Sequence, residues 1–187
     1  MNIGFAMTGS LCTFERAFKA LEAVSAVHNV TPIFSDASYT TNSRFGTARD
    51  HITRVAEICG QEPFHSIAQV EPIGPGKLLD ALIIAPCTGN TLAKLAHSIA
   101  DGPVTMAAKS HLRNGRPILL AISTNDALAG AAENIGKLLG RRNYFFVPFG
   151  QDDPIKKPTS IVADFSQILP ALNAALEGYQ LQPVLIQ

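Results

Sequence analysis

Five short, almost wholly apolar runs recur along the chain, and each is followed by a small polar turn and a longer segment with helical spacing. Successive residues of a strand point to opposite faces of the sheet, so a run that is apolar at every position indicates a strand buried on both faces. Such strands are typical of a parallel sheet between two layers of helices. The alternation therefore predicts an α/β fold built from βαβ units. The predicted strands are residues 3–7, 30–34, 81–85, 118–122 and 144–148, with a weaker candidate at 64–67.

Helical spacing of apolar residues fills the segments between these runs. In the first segment apolar residues recur at i, i+4, i+7 and i+10 from Phe14, which places them on one face of a helix. The pattern predicts a single doubly wound domain over residues 1–187, Rossmann-like or flavodoxin-like, with three layers and a mostly parallel sheet. The predicted helices are 14–27, 48–59, 91–100, 105–114, 127–139 and 165–176, and the polar, proline-broken segment 150–160 is predicted as a long loop.

Composition narrows the class of protein and of partner. The chain has 187 residues, 47% hydrophobic and 16% charged, which is enough for one sizeable core. Fifteen basic residues balance fifteen acidic ones, so no overall field favours nucleic acid or an anionic membrane. Three widely spaced cysteines form no Cys-x-x-Cys or Cys/His cluster, so neither a disulfide framework nor a metal site is predicted. The first residues resemble neither a signal peptide nor a membrane span, so a cytoplasmic location is expected.

Small hydroxyl and amide residues follow four of the predicted strands. Open α/β sheets bind ligands beyond the carboxyl ends of their strands, where these turns lie. Free N–H groups at helix N-termini and the hydroxyls of Ser and Thr favour an anion such as a phosphate. A competing interpretation is that these residues only cap helices, and the sequence leaves it open. The turns are Thr8-Gly9-Ser10, Ser35, residues 86–91 and residues 123–126.

Two common nucleotide motifs are missing. Gly4 and Gly9 have the outer spacing of a P-loop, but Ser10 stands where the phosphate-binding Lys would be, which disfavours a nucleoside triphosphate. No Gly-x-Gly-x-x-Gly follows the first strand, which disfavours a dinucleotide. A mononucleotide such as FMN therefore fits better than NAD or ATP.

The same turns carry a resemblance. Thr8-Gly9-Ser10, Ser35 and residues 85–91 with Lys94 resemble the FMN-binding elements of the homo-oligomeric flavin-containing Cys decarboxylases, a family of flavoproteins. The Pro-x-Thr-x-Asn-Thr element at 86–91 is specific to that family. Further segments resemble a narrower branch of it, the B subunits of dipicolinate synthases, along nearly the whole chain. These segments are 41–46, 107–109, 112–115, 123–128 and 147–152.

The resemblance implies an FMN-binding oxidoreductase subunit that forms homo-oligomers of three or more copies. With the dipicolinate synthase A subunit, which is similar to NADP-dependent Rossmann proteins, it would oxidise dihydrodipicolinate, a small dicarboxylate, to dipicolinate during sporulation. Whether the flavin or the nicotinamide accepts the hydride stays open. The cofactor-binding residues implied are Thr8, Gly9, Ser10, Ser35, Pro86, Thr88, Asn90, Thr91, Ser123, Thr124 and Asn125.

Departures from the family pattern keep two alternatives open. The decarboxylases carry a catalytic His shortly before the Pro-x-Thr-x-Asn-Thr element and Pro-Ala-Met-Asn where this chain has residues 122–125, and only Asn125 is retained. Decarboxylation by the family mechanism is therefore not the expected activity. The alternatives are a flavin-dependent decarboxylase or prenyl-flavin-forming relative, and a non-catalytic protein that only docks its partner.

One residue is predicted to act on the substrate. Arg44 lies in a turn longer than a tight crossover needs, and its planar guanidinium suits a carboxylate; the competing interpretation is a solvated surface Arg. A dicarboxylate needs a second cation, for which the candidates are Lys109, Arg113 and Arg116. His65 and Cys87 are interpreted as packing residues.

Overall fold

The computed structural model describes residues 1–186, and within them the chain forms a mixed sheet of seven strands flanked by helices. The strands are β1 Asn2–Met7, β2 Asn29–Phe34, β3 Ala81–Cys87, β4 Ile118–Thr124, β5 Tyr144–Phe146, β6 Phe149–Asp153 and β7 Lys157–Ala163. Five of them run parallel in the order β2-β1-β3-β4-β5, and β7 and β6 continue the sheet antiparallel from β4. This order is the flavodoxin-like doubly wound arrangement, so the predicted fold class is confirmed.

Helices cover both faces of the sheet. They are α1 Phe14–Ser25, α2 Asp36–Thr40, α3 Ala48–Cys59, α4 Ile67–Val70, α5 Gly89–Ala96, α6 Pro103–Leu112, α7 Ala132–Leu139 and α8 Ile168–Leu176. Helices α1, α3 and α8 pack on one face, whereas α5, α6 and α7 pack on the other, with α4 against α6. None of the helices described within residues 1–186 is both long and apolar enough to cross a membrane.

The central strands form the core between these layers. Every residue of β3 is buried, and β4 is buried from Ile118 to Ser123, as two-sided cover requires. Each large apolar side chain buried in this way contributes about 1.5–3 kcal/mol to folding. The central strands that carry the polar turns at their carboxyl ends are therefore stabilised by core packing, and this packing does not depend on the residues of the turns.

Strand β4 changes its partner halfway along its length. Its first three residues pair with β5 in parallel, whereas Ser123 and Thr124 pair with Val162 and Ile161 of β7 in the antiparallel direction. The chain leaves β5 after Phe146 and begins β6 three residues later. The β6–β7 hairpin consequently rises beside the carboxyl end of β4.

This hairpin corrects the prediction of a long loop at 150–160. All residues of β6 after Phe149 and the first three of β7 are exposed or half-buried, so the sequence carries no apolar alternation there. Its strands are instead fixed by pairing with each other and with β4. The weak strand candidate at 64–67 is also wrong: only an isolated bridge between Ile33 and Phe64 forms, and Ile67 begins α4.

The predicted helix at 127–139 begins later than expected, at Ala132. The Leu128 N–H donates to the Thr159 carbonyl at 3.0 Å, which draws the backbone toward the hairpin. The N–H groups of Ala129 and Ala131 both donate to the Asp126 carbonyl, forming a turn in place of the first helical turns. The other predicted helices and strands end within four residues of the observed bounds.

Candidate functional site

The carboxyl ends of β1, β2, β3 and β4 meet at one edge of the sheet, where the strand order reverses between β1 and β3. Crossovers leave these two strands in opposite directions, which opens a crevice above them. Thr8 follows β1, and its Oγ1 donates to the Pro86 carbonyl at 2.7 Å and accepts from the Thr88 N–H at 3.1 Å. Thr8 and Pro86 are buried, so they hold the two turns together beneath the crevice.

A cleft of about 960 Å³ opens above the strand ends. Its volume lies at the upper end of the range for small-molecule sites. The 3-10 turn Leu11–Thr13, the loop at 43–45 and the β6–β7 hairpin form its walls. The predicted residues that line it are Gly9, Ser10, Thr88, Asn90, Ser123, Thr124 and Asn125.

A smaller cleft of about 410 Å³ adjoins the first. Gly9, Thr88 and Asn90 line both clefts, so they form the boundary between them. The N-termini of α5 and α6 open into the smaller cleft, and the N–H groups of a first helical turn have no partner within the helix. The predicted residues Thr8, Ser35 and Thr91 also line it.

The charged side chains of the smaller cleft, one Lys and two Asp, give it no net positive charge. Lys94 Nζ lies 2.8 Å and 3.0 Å from the two carboxylate oxygens of Asp101, and this hydrogen bonding lowers the pKa of Asp101. Asp36 also lines the cleft. An anion in this cleft would therefore be bound by backbone N–H groups and hydroxyls, whose dipoles the fold holds in a fixed orientation.

Two of the predicted residues do cap helices. Ser35 Oγ accepts from the Ser38 N–H at 3.2 Å at the start of α2, and Thr88 Oγ1 accepts from the Thr91 N–H at 3.3 Å at the start of α5. Ser10 makes no such capping hydrogen bond. The capping interpretation thus accounts for Ser35 and Thr88 but not for the whole set.

A cluster of three hydroxyls joins the first turn to the end of β4. The Oγ atoms of Ser10 and Ser123 lie 2.8 Å apart, and Thr13 Oγ1 donates to Ser123 Oγ at 3.3 Å. Ser123 is 4% exposed, whereas Ser10 is half-buried. The cluster fixes the width of the larger cleft at its base.

Gly89 lets the start of α5 approach the end of β4. The Thr124 hydroxyl donates to Asp126 Oδ1 at 2.5 Å. A Cβ at position 89 would lie 2.7 Å from Asp126 Oδ1 and 2.8 Å from Thr124 Oγ1, closer than real Cβ contacts. Any side chain at this position would therefore displace the hydroxyl–carboxylate pair, and Thr124 and Asp126 both line the larger cleft.

Arg16 and Lys157, not Arg44, are the cationic side chains that line the larger cleft. Arg44 is exposed, with its guanidinium carbon 4.8 Å from the centre of the Phe45 ring, and that ring does line the cleft. Lys157 Nζ lies 2.5 Å from Asp152 Oδ2, whereas Arg16 forms no ion pair with any residue the structure describes. Sequence analysis missed Arg16 because it is one of several exposed polar positions on α1.

The other candidate residues lie elsewhere. The His65 ring stacks on Tyr39 with centroids 3.9 Å apart, and neither residue lines the clefts. Cys87 is completely buried in β3, and burial raises the pKa of its thiol, so it is no nucleophile. Arg116 lies 3.4 Å from Asp80 at the opposite end of the sheet. Cys12, which has no motif around it in the sequence, is exposed in the larger cleft.

Comparison with known proteins agrees with this geometry. The model of the Flavoprotein family matches residues 1–165. The B subunit of dipicolinate synthase from Bacillus subtilis (strain 168) is 44% identical over 187 residues, which cover 100% of this chain and 94% of the relative.

Solved structures give the same result. The crystal structure of the dipicolinate synthase B subunit from Bacillus halodurans matches with a TM-score of 0.91 and 41% identity, over 100% of this chain and 96% of the other. Burkholderia xenovorans DmrB in complex with FMN matches with a TM-score of 0.69 and 17% identity, over 94% and 95% of the two chains. The second likeness shows a shared fold.

Proposed function

The chain belongs to the Flavoprotein family, and from that premise we propose that it is the FMN-binding subunit of a dipicolinate synthase. In this role it oxidises dihydrodipicolinate to dipicolinate together with an A subunit during sporulation. The observation that carries the proposal is the full-length similarity to dipicolinate synthase B subunits. The two adjoining clefts at the strand ends support it, because they give such a cofactor a place.

The donors of the two clefts fit FMN. An elongated ligand with one anionic end suits a smaller cleft edged by the N-termini of α5 and α6 and by the hydroxyls of Ser35, Thr88 and Thr91. Gly9 and Asn90, which border both clefts, would contact the middle of the ligand, and the larger cleft would hold the ring beside Ser10 and Ser123–Asn125. When bound, FMN supplies two-electron redox chemistry, and the protein supplies binding and orientation.

The substrate carboxylates need cationic partners in the larger cleft. Arg16 forms no ion pair within residues 1–186, so its guanidinium is available to a carboxylate there. Lys157, on the β6–β7 hairpin, also lines the cleft but forms an ion pair with Asp152. We therefore assign the first carboxylate contact to Arg16 and the second to Lys157, in place of the predicted Arg44.

The first experiment is the visible absorption spectrum of the purified chain, with release and identification of any chromophore. We expect stoichiometric FMN, or uptake of added FMN by colourless protein. The flavin-stripped and reloaded chains are then assayed with the A subunit. If the pair is equally active without flavin, the chain would be left with the non-catalytic role of docking its partner. If the isolated chain turns over substrate without the A subunit, the decarboxylase or prenyl-flavin-forming alternative would be favoured.

The carboxylate contacts are tested in the same assay. Arg16→Ala removes a charge-assisted hydrogen bond and is expected to raise KM for dihydrodipicolinate about tenfold or more. Arg44→Ala is the matched control, because it removes the same charge from an exposed side chain that does not line the cleft. Equal effects of the two substitutions would remove Arg16 from the site.

Another protein chain is expected to cover the mouth of the larger cleft. Phe45, which lines it, is 43% exposed, and Ile155 at the tip of the β6–β7 hairpin is 90% exposed. An exposed aromatic ring on the wall of a ligand cleft is a natural contact for a second chain when the family resemblance implies homo-oligomers. Sedimentation of the chain alone and with the A subunit measures this: homo-oligomers of three or more copies are expected, and a monomer in both samples would refute the idea.

A further inference from the structure

A third cavity, of about 290 Å³, meets the smaller cleft at Thr105 of α6 and extends from there toward the C-terminal end of that helix. Three parts of the chain bound it. They are the end of α5 with the loop that follows, Lys109 and Leu112 of α6 with Arg113 directly after that helix, and the segment that enters β5. Positions 109, 112 and 113 are three and four residues apart, so their side chains share one helix face. The proposed function assigns no role to this cavity.

The cavity is positively charged although the chain as a whole has no net charge. Lys109, Arg113 and Arg141 line it, no acidic side chain does, and none of the three forms an ion pair with a residue in the described range 1–186. Arg141 donates to the carbonyls of Leu95 and Ala96 at 3.0 Å and 2.6 Å. These bonds to the end of α5 fix its guanidinium in place, which is the property required of a binding group.

Tyr144 adds a neutral hydrogen-bond donor to the wall of the cavity. Its ring is largely buried, with 8% of the residue exposed, and it lines the cavity. Within the described residues its hydroxyl has no protein partner, so it can donate to water or to a bound ligand. Burial raises the pKa of Tyr144 to about 12, so the hydroxyl keeps its proton and can donate it in a hydrogen bond.

Apolar side chains complete the wall and decide the class of ligand. Leu95 and Leu112 line the cavity beside the basic groups, so a bare inorganic anion would leave apolar surface uncovered. The volume is at the lower limit of known small-molecule sites, which restricts the ligand to about the size of one substituted ring.

We propose that this cavity binds a small aromatic carboxylate, whose carboxylate accepts hydrogen bonds from Tyr144 and from Arg113 or Lys109 while its ring contacts Leu95 and Leu112. Apart from Thr105, none of the residues that line this cavity lines the strand-end clefts, and the residues assigned to the carboxylate include none of those proposed to hold FMN. Binding of the aromatic carboxylate can therefore be tested without reference to the proposed function.

Isothermal titration of the full chain with benzoate tests the proposal. The expected result is one site per chain, with binding about tenfold weaker or worse in the Lys109→Ala/Arg113→Ala double variant and also weaker in Tyr144→Phe. Both basic side chains are exposed, and Phe keeps the volume of Tyr, so the variants should fold as the parent does. Arg142→Ala is the matched control, because Arg142 is exposed, lies next to Arg141 and does not line the cavity.

Titration with inorganic phosphate and amide shifts in NMR spectra complete the test. Benzoate should shift the amides of residues 95–100 and 141–144, and phosphate should bind much more weakly. Three outcomes would overturn the proposal: no binding of benzoate, equal binding of phosphate and benzoate, or shifts confined to the strand-end clefts.

Discussion

The hydrogen bond between the Ser10 and Ser123 hydroxyls joins two strand ends across the base of the larger cleft. Ser10→Ala or Ser123→Ala removes this 2.8 Å bond between partly buried groups, so each substitution should lower the free energy of unfolding by about 1 kcal/mol. For a chain of this length that corresponds to a fall in Tm of roughly 2–4 °C. The two substitutions break the same bond, so the double variant should fall short of additivity by about 0.5–1 kcal/mol.

Urea unfolding of flavin-stripped protein, followed by circular dichroism, measures the coupling without a contribution from bound ligand. Ser25→Ala combined with Ser123→Ala is the control pair, because Ser25 lies at the end of α1 and is not hydrogen-bonded to Ser123. That pair should be additive. Additivity between positions 10 and 123 as well would show that no hydroxyl bridge joins the two turns, and the reasoning about the base of the cleft would fail.

Burial and close contact give three further predictions. Gly89→Ala should weaken FMN binding at least about tenfold in a fluorescence titration, while the free energy of unfolding changes by no more than about 1 kcal/mol because Ala is the better helix former. Burial lowers the pKa of both His51 and His111 in the folded protein. Below about pH 6.5 the unfolded chain therefore binds more protons than the folded chain, and Tm should fall as the pH drops. A Tm that rises toward about pH 5.5 would contradict this. A thiol reagent should modify Cys12 in the native protein but Cys87 only after unfolding, as peptide mass spectrometry would show.

The parallel part of the fold could be predicted because its strands are buried on both faces. Leu82, Ile83 and Ile84 of β3 have no exposed surface, and such runs are apolar whatever their partners are. The β6–β7 hairpin could not be predicted in the same way. Its exposed residues carry no pattern of their own, and the pairing of Val162 with Ser123 joins segments that are far apart in the sequence.

For the candidate site, the sequence could predict which residues reach the cleft only as far as backbone topology determines it. Hydroxyl residues directly after strands reach the same sheet edge in any doubly wound fold, and Ser10, Thr88 and Ser123 do line the larger cleft. The direction of a long side chain depends on tertiary structure instead. Arg44 lies against Phe45 and Arg16 lines the cleft, a difference that the sequence around either residue does not contain.

The change of partner along β4 marks the boundary between the parallel strands, which form the core, and the β6–β7 hairpin, whose tip can vary without changing that core. The hairpin that walls the larger cleft is joined to β4 only through Ser123 and Thr124, beyond the point where the parallel strands have ended. Insertions or deletions at the exposed tip of the hairpin, between residues 153 and 157, would therefore reshape the cleft while the pairing of β7 with Ser123 and Thr124 and the core contacts of Phe149, Ile161 and Ala163 stay in place. Related sequences can diversify in ligand choice through this one segment, and a protein engineer can use the same boundary to alter selectivity on an unchanged scaffold.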